Sequence, residues 1–195
     1  MDCSHIIFGG ARLGTYYLEN GVSVRPASVV YDREGSSMAT AKAEEFDWDA
    51  ILEGADLLHT SGITPVLSED AKEIVLQALK AAKAKRITTS FDLNYRGKLW
   101  TTGVKEKQEM MAGLMPYVDI CFGNARDAAM VLGYRDKNTD FINGDYDICI
   151  NTENMQKVLN YFGFTYLVSS LRNSLSASYN GYSGEVVTAQ KWHIG

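Results

Sequence analysis

From about residue 47 onward, helical and strand-like patterns alternate along this chain, and that alternation limits the possible folds more than any other feature. Asp47 is placed to cap a short helix that Gly54 ends. Residues 56–61 read as a strand. Ser68 is placed to cap a longer helix, in which Ala71, Ile74, Val75, Ala78, Leu79 and Ala82 keep one apolar face for three turns. Residues 87–91 read as a strand, and a helix follows from about Val104 until Pro116 interrupts it. Residues 118–122 are strand-like, and Asn124 opens a helix that Gly133 closes. Thr152 is placed to cap a helix with Met155, Val158, Leu159 and Phe162 on one side. Gly163 ends it, and residues 166–170 form a further strand. Strand, helix, strand, three times over, predicts an α/β fold with four parallel strands joined by helical crossovers.

The flanking regions carry a different period. Residues 15–18 and 23–31 are strand-like and separated by Glu19-Asn20-Gly21, a hairpin signal. A second hairpin is expected around Asn180-Gly181, between residues 175–180 and 185–189. Residues 134–149 are polar and acidic and read as a surface loop. The chain has 195 residues, enough for one domain with a small appendage and a substantial core. A net charge of −5, with no basic cluster, argues against nucleic acid or an anionic membrane as partner. No apolar run approaches the roughly 18 residues that span a bilayer. Cys3, Cys121 and Cys149 are widely spaced, so a zinc site is not expected, and Cys121 reads as a buried thiol. With no secretory signal at the start, these features predict a cytoplasmic protein. His59, in an apolar strand, is expected to be a hydrogen-bonded core residue.

In a parallel sheet the carboxyl ends of the strands line up at one edge, where such folds bind ligands. Here they present Thr60-Ser61-Gly62, Asp92-Asn94-Arg96, Asn124 and Ser169-Ser170. The stretch Ser90-Phe91-Asp92-Leu93-Asn94-Tyr95-Arg96, closed by Trp100, is the most pointed of these. It delivers an acid, an amide and a guanidinium within five residues, and arginine's planar fork suits a carboxylate or phosphate. Asn124-Ala125-Arg126-Asp127 admits two readings. It is close to a capping box, and the helix it opens presents an amino-terminal end that attracts phosphate.

Taken together, these segments resemble the ribokinase-like (PfkB) carbohydrate kinases, whose middle region carries Phe or Leu, Asp, x, Asn, x, Arg and then Trp. The chain has that pattern as Phe91, Asp92, Asn94, Arg96 and Trp100. Gly10-Ala11-Arg12-Leu13-Gly14-Thr15-Tyr16-Tyr17-Leu18-Glu19 is similar to the segment that opens the lid in the 2-keto-3-deoxygluconate kinase branch. Tyr31-Asp32-Arg33-Glu34-Gly35-Ser36-Ser37 is similar to its Tyr-x-Arg-x-Gly-Ser-Ala block. The resemblance implies a mostly parallel sheet flanked by helices with a small β lid. Residues 1–40 would form the lid and connecting strands, and residues 41–195 a partial α/β kinase core, truncated at both ends. It implies that Tyr16, Tyr31 and Arg33, with Asn94 and Arg96, bind the sugar acid, and that Arg96 also positions the phosphoryl group. Asn124 and Asp127 would bind ATP phosphates, with Asp127 holding Mg²⁺.

Two departures from the family pattern stand out. Ser169-Ser170-Leu171-Arg172-Asn173-Ser174-Leu175 falls where the family has a Thr-Leu-Gly-x-x-Gly nucleotide turn, and Arg172 and Leu175 replace the glycines. Ser170 and Arg172 are the groups left there to reach phosphate. The Gly-x-Gly-Asp loop that supplies the family's catalytic base is absent from the sequence, so the chain alone is expected to have little or no turnover. The expected function is therefore the middle portion of an ATP-dependent sugar-acid kinase, paired as a homodimer through its lid strands. A non-catalytic sugar-acid-binding or lid-mediated dimerisation module is the alternative. A Rossmann or Walker nucleotide binder is disfavoured, because neither glycine loop is present.

Overall fold

The computed structural model describes residues 3–22, 25, 27–135, 148–174, 179–189 and 192–194. The chain starts with a two-stranded antiparallel ribbon, β1 (Thr15–Glu19) and β2 (Ser28–Asp32), in register from Thr15↔Asp32 to Glu19↔Ser28. Asn20-Gly21 is therefore not a tight two-residue turn. The connection spans residues 20–27 and carries a bridge between Val22 and Arg25. Two short helices follow, α1 (Ser37–Thr40) and α2 (Trp48–Ile51), the latter capped by Asp47 through the backbone N–H groups of Asp49 and Ala50.

Strands β3 (Leu57–Ser61), β4 (Thr88–Asp92), β5 (Ile120–Phe122) and β6 (Tyr166–Ser174) pair in sequence order, all parallel. Two antiparallel strands, β7 (Asn180–Val187) and β8 (Trp192–Ile194), complete a six-stranded sheet. The crossovers are α3 (Glu69–Ala84), α4 (Val104–Leu114), α5 (Ala125–Val131) and α6 (Ile148–Phe162). Ser68 caps α3 by accepting from Ala71 N–H, and the helix buries the six residues its apolar stripe predicts.

A sheet built in sequence order with crossovers of one hand carries all its helices on one face. Accordingly, Phe91, Cys121, Leu167 and Val187, which are neighbours in register, share one buried cluster with Leu79 of α3, Met111 of α4, Ala129 of α5 and Leu159 of α6. At the amino-terminal edge Asp119 ties strands to helix. It accepts from the Thr89 backbone N–H and hydroxyl, each at 2.9 Å, and pairs with Lys83.

Five expectations need correction. Thr152 lies inside α6 rather than capping it, and its hydroxyl donates to the fully buried carboxylate of Glu185 on β7. Strand β6 runs past the expected residue 170 to Ser174, so residues 171–174 are strand rather than turn. Asn180-Gly181 starts β7 instead of turning the chain. Of the expected loop at 134–149, residues 136–147 lie outside the described residues, and Ile148 and Cys149 are helical. His59 is hydrogen-bonded, its Nδ1 lying 2.9 Å from Ser90 Oγ, but it is exposed rather than part of the core. Its side of the sheet carries no helix among the described residues. No described helix is long and apolar enough to cross a membrane.

Candidate active site

The carboxyl end of β4 sets the site. Asp92 ends the strand, and its Oδ1 accepts from the Asn94 backbone N–H at 2.9 Å, which folds the chain back. Asn94 takes the left-handed conformation at φ 45°, which asparagine tolerates better than most residues. Its amide then donates to Ser61 Oγ on β3 at 3.2 Å. Between them Leu93 is buried, and its N–H continues the ladder to Phe122 O at 2.9 Å. Two glycines make room for it. A Cβ on Gly62 would stand 2.5 Å from Leu93 O, and one on Gly123, at φ +146°, would stand 2.8 Å from Leu93 Cδ1. The turns after β3 and β5 thus close around one leucine, and Asn94 and Arg96 are left facing outward. Tyr95 packs on buried Trp100, with ring centroids 5.9 Å apart, and closes the segment.

A cleft of about 440 Å³ opens at this edge, lined by Asp92, Asn94, Arg96, Asn124, Asp127 and Ser170, among others. Its size falls within the range of small-molecule sites. Asn124 and Asp127 form a capping box. Asn124 Oδ1 accepts from Asp127 N–H at 2.8 Å, and Asp127 Oδ2 accepts from Asn124 N–H at 3.1 Å. Burial pushes the Asp127 carboxyl above the usual carboxylate range. The Asn124 N–H opposes that shift, nearby Asp92 adds to it, and Arg126 and Arg96 pull against it. Beneath them, burial, aided by Asp92 and Asp127, raises the Cys121 thiol far above its ordinary value, so it is an inert core group.

The ribbon supplies a second wall. Tyr16 and Tyr31 face each other with ring centroids 6.4 Å apart, and the Arg33 guanidinium lies 4.2 Å over the Tyr31 ring. A cavity of about 360 Å³ lies between Tyr31, Arg33 and Glu34 on one side and residues 96–99 on the other. Arg96 lines both spaces, so one guanidinium joins the strand-end cleft to the ribbon cavity. Tyr16 reaches the cavity only through its neighbour Tyr31. Lys98 Nζ donates to Val29 O of β2 at 3.0 Å, tying ribbon to core. Arg12 fixes the base of the ribbon by pairing with both oxygens of Asp32, at 2.9 and 2.5 Å, and donating to Glu34 O. Ser170 lines the cleft from β6, alongside Ser183 and Gly184 of β7. Arg172 sits opposite Tyr182 in the β6–β7 register.

Sequence reasoning missed Gly123, Lys98, the structural role of Arg12, and the β7 contribution. Gly123 had a readable signal, a glycine directly after a strand. The others depend on contacts between distant segments.

Residues 2–143 match the sequence profile described as pfkB family carbohydrate kinase. The chain belongs to that family. It is 42% identical over 122 residues to a 2-dehydro-3-deoxygalactonokinase of Haloferax volcanii, covering 63% of this chain and 37% of that protein. It is 30% identical over 138 residues to a 2-dehydro-3-deoxygluconokinase of Thermoproteus tenax, covering 70% and 41% respectively. The crystal structure of 2-dehydro-3-deoxygluconokinase from Thermotoga maritima superposes with a TM-score of 0.85 at 39% identity, covering 95% of this chain and 54% of that one. The chain thus spans about half the length of that structure and less of the two sequence relatives. The pfkB identity accounts for the mostly parallel sheet, its helical layer and the small ribbon.

Among the described residues no group of three or more His, Cys, Asp or Glu could hold a metal. Two carboxylates, Asp92 and Asp127, line the cleft, and each uses one oxygen on a backbone N–H. That set fits Mg²⁺, which takes one or two carboxylates and completes its shell with water and phosphate oxygens.

Proposed function

We propose that these residues form the sugar-acid-binding centre of a kinase that transfers the ATP γ-phosphoryl group to a hydroxyl of a 2-keto-3-deoxy sugar acid. The observation that carries this reading is Arg96, which borders both cavities at once. Tyr16, Tyr31 and Arg33 hold the acid, with Arg33 facing its carboxylate. Asn94 and Arg96 sit where the accepting hydroxyl and the phosphoryl group meet. Asn124, Asp127 and Ser170 take the nucleotide phosphates with Mg²⁺, and Arg172 belongs to the same set. Mg²⁺, when bound, neutralises phosphate charge. The residues supply alignment and positive charge, which is most of what phosphoryl transfer requires of a protein. The family's Gly-x-Gly-Asp base is not carried by this sequence, so binding is expected without turnover. The activities for which the two sequence relatives are named, and cations on both walls of the ribbon cavity, support a sugar acid over a neutral sugar. The reading places the protein in the cytoplasm.

Calorimetric titration with 2-keto-3-deoxygluconate tests the reading. Binding is expected, and Arg33→Ala or Arg96→Ala is expected to weaken it at least tenfold, since a hydrogen bond to a charged group contributes about 1.5–3 kcal/mol. Unchanged affinity in Arg96→Ala would refute the role given to that residue, and phosphorylation by the purified chain would refute the expected lack of turnover.

Pairing of two copies through the ribbon belongs to the same proposal. Tyr16, Tyr17, Leu18 and Val30 leave much of their apolar surface exposed there, and an open ribbon edge invites a partner strand. Light scattering of the wild type and a Leu18→Lys variant tests it, with a dimer expected to become a monomer.

A further inference from the structure

The fold treats the two acidic residues that flank Arg33 differently. Asp32 is neutralised, because Arg12 donates to both of its carboxylate oxygens, at 2.9 and 2.5 Å. Arg12 also holds Glu34, but only by the backbone carbonyl, which lies 3.2 Å from its Nε. The Glu34 side chain is exposed and makes no ion pair or hydrogen bond among the described residues. Glu34 nevertheless borders the ribbon cavity, whose other charged residues are Arg33, Arg96 and Lys98. None of these three cations is paired with a carboxylate among the described residues. Arg33 lies over the Tyr31 ring, Arg96 donates to Tyr95 O at 2.9 Å, and Lys98 donates to Val29 O at 3.0 Å. A ring face or a carbonyl leaves each of them with its full charge. A cavity of about 360 Å³ therefore gathers three cations and one acid that nothing neutralises.

That balance bears on what the cavity retains. A sugar acid brings one negative charge. Its phosphate ester brings the same carboxylate and up to about two charges more near neutral pH. Three cations alone would hold the ester best. A fixed carboxylate at the same cavity opposes each ligand in proportion to its charge, so it weakens the ester more than the acid. We propose that Glu34 is a specificity-determining residue, whose negative charge makes the ribbon cavity favour the singly charged sugar acid over its phosphate ester. Glu34 thereby admits the substrate and promotes departure of the phosphorylated product. This assignment rests on the ribbon cavity being the sugar-acid site. Binding there needs the cations, and Glu34 adds the repulsive element that ranks one ligand above the other.

The test is calorimetric titration of the wild-type chain and of Glu34→Gln with two ligands, 2-keto-3-deoxygluconate and the phosphate ester of its terminal hydroxyl. An exposed charge pair changes affinity by up to about fivefold per unit charge. In Glu34→Gln the ester should therefore gain about three- to tenfold more affinity than the acid gains. Glu34→Lys should widen that difference. Salt at about 1 M should remove most of it, because the Debye length there is only about 3 Å. Adding Arg33→Ala to Glu34→Gln should weaken both ligands, which ties the effect to the ribbon cavity. Equal gains for acid and ester, or an ester gain that survives 1 M salt, would overturn the proposal and leave the sugar-acid reading intact. An ester that keeps its affinity without Arg33 binds elsewhere, and that too would overturn it. A wild-type chain that binds neither ligand would instead remove the sugar-acid reading, and the role of Glu34 with it.

Discussion

The two walls of the candidate site are built by different physics. Asn94 and Asn124 extend from strands whose backbones are in register and whose inner side chains, Phe91, Leu93 and Cys121, are buried. Tyr16 and Tyr31 stand on two strands whose residues are nearly all exposed. A two-stranded ribbon is marginal in water by itself. This one is held at its base by the Arg12–Asp32 pair and the Ser37 contacts to Arg12 O, and at one flank by Lys98. One wall is therefore fixed before a ligand arrives, whereas the other can open locally at little cost. On the proposed reading, the rigid wall would align the phosphoryl group while the ribbon admits and releases the sugar acid.

The comparison breaks most readily in the core. Phe91→Ala should cost about 3–5 kcal/mol, the usual range for removing a buried aromatic, and urea denaturation measures it. The matching ribbon change, Tyr17→Ala, should stay within about 0.5 kcal/mol. Comparable losses at the two positions would show that the ribbon folds with the core as one unit. Gly62→Ala comes next. Its new methyl meets the Leu93 carbonyl, a backbone atom that cannot swing aside, so about 1–3 kcal/mol is expected, together with a shift of Asn94 away from Ser61. Sugar-acid binding should weaken more in this variant than in Tyr17→Ala.

A smaller effect probes the opposite edge of the rigid wall. Burial pushes the Asp119 carboxyl up, but the Lys83 ion pair and the two Thr89 hydrogen bonds outweigh that and hold it below the ordinary carboxylate value of about 3.9. A depressed folded-state value means the unfolded chain binds the proton first. The stabilisation is thus complete above about pH 5 and is lost as the pH falls through the folded-state value. Asp119→Asn should cost no more than about 1 kcal/mol at pH 7, because the pair is partly exposed. The gap from wild type should narrow by pH 3. A gap that widens in acid would reverse the assigned direction.

What the sequence disclosed and what it hid divide along the same line. Local signals were sufficient for α3, because Ser68 and its apolar stripe lie within one segment, and for the Asn124–Asp127 box, whose partners are three residues apart. Arg33 and Arg96 could be grouped by likeness to a family, and they border one cavity. The misread parts are non-local. Residues 171–174 stand where a family turn was expected, and they extend the strand because β7 supplies a partner backbone. Thr152 has the chemistry of a cap, and its helix starts earlier because Ile148 to Asn151 continue the same turn pattern. His59 sits between apolar neighbours that suggest burial, yet periodicity cannot say whether a second layer covers that face.

The finest test of the two-wall contrast is Lys98. Its ammonium donates to a carbonyl of β2, yet the residue is exposed, so Lys98→Met should change global stability by less than about 0.5 kcal/mol. Its effect should appear instead in amide hydrogen exchange. Amides of β2 should exchange faster in the variant, while those of β4 and β5 keep their rates, because only the ribbon loses an anchor. Sugar-acid affinity should fall modestly through a faster off-rate, since Tyr31 and Arg33 are carried by the released strand or lie beside it. If β2 exchange is unaltered, the base contacts through Arg12 and Ser37 are sufficient to hold the ribbon, and the flexible wall is stiffer than its exposure suggests.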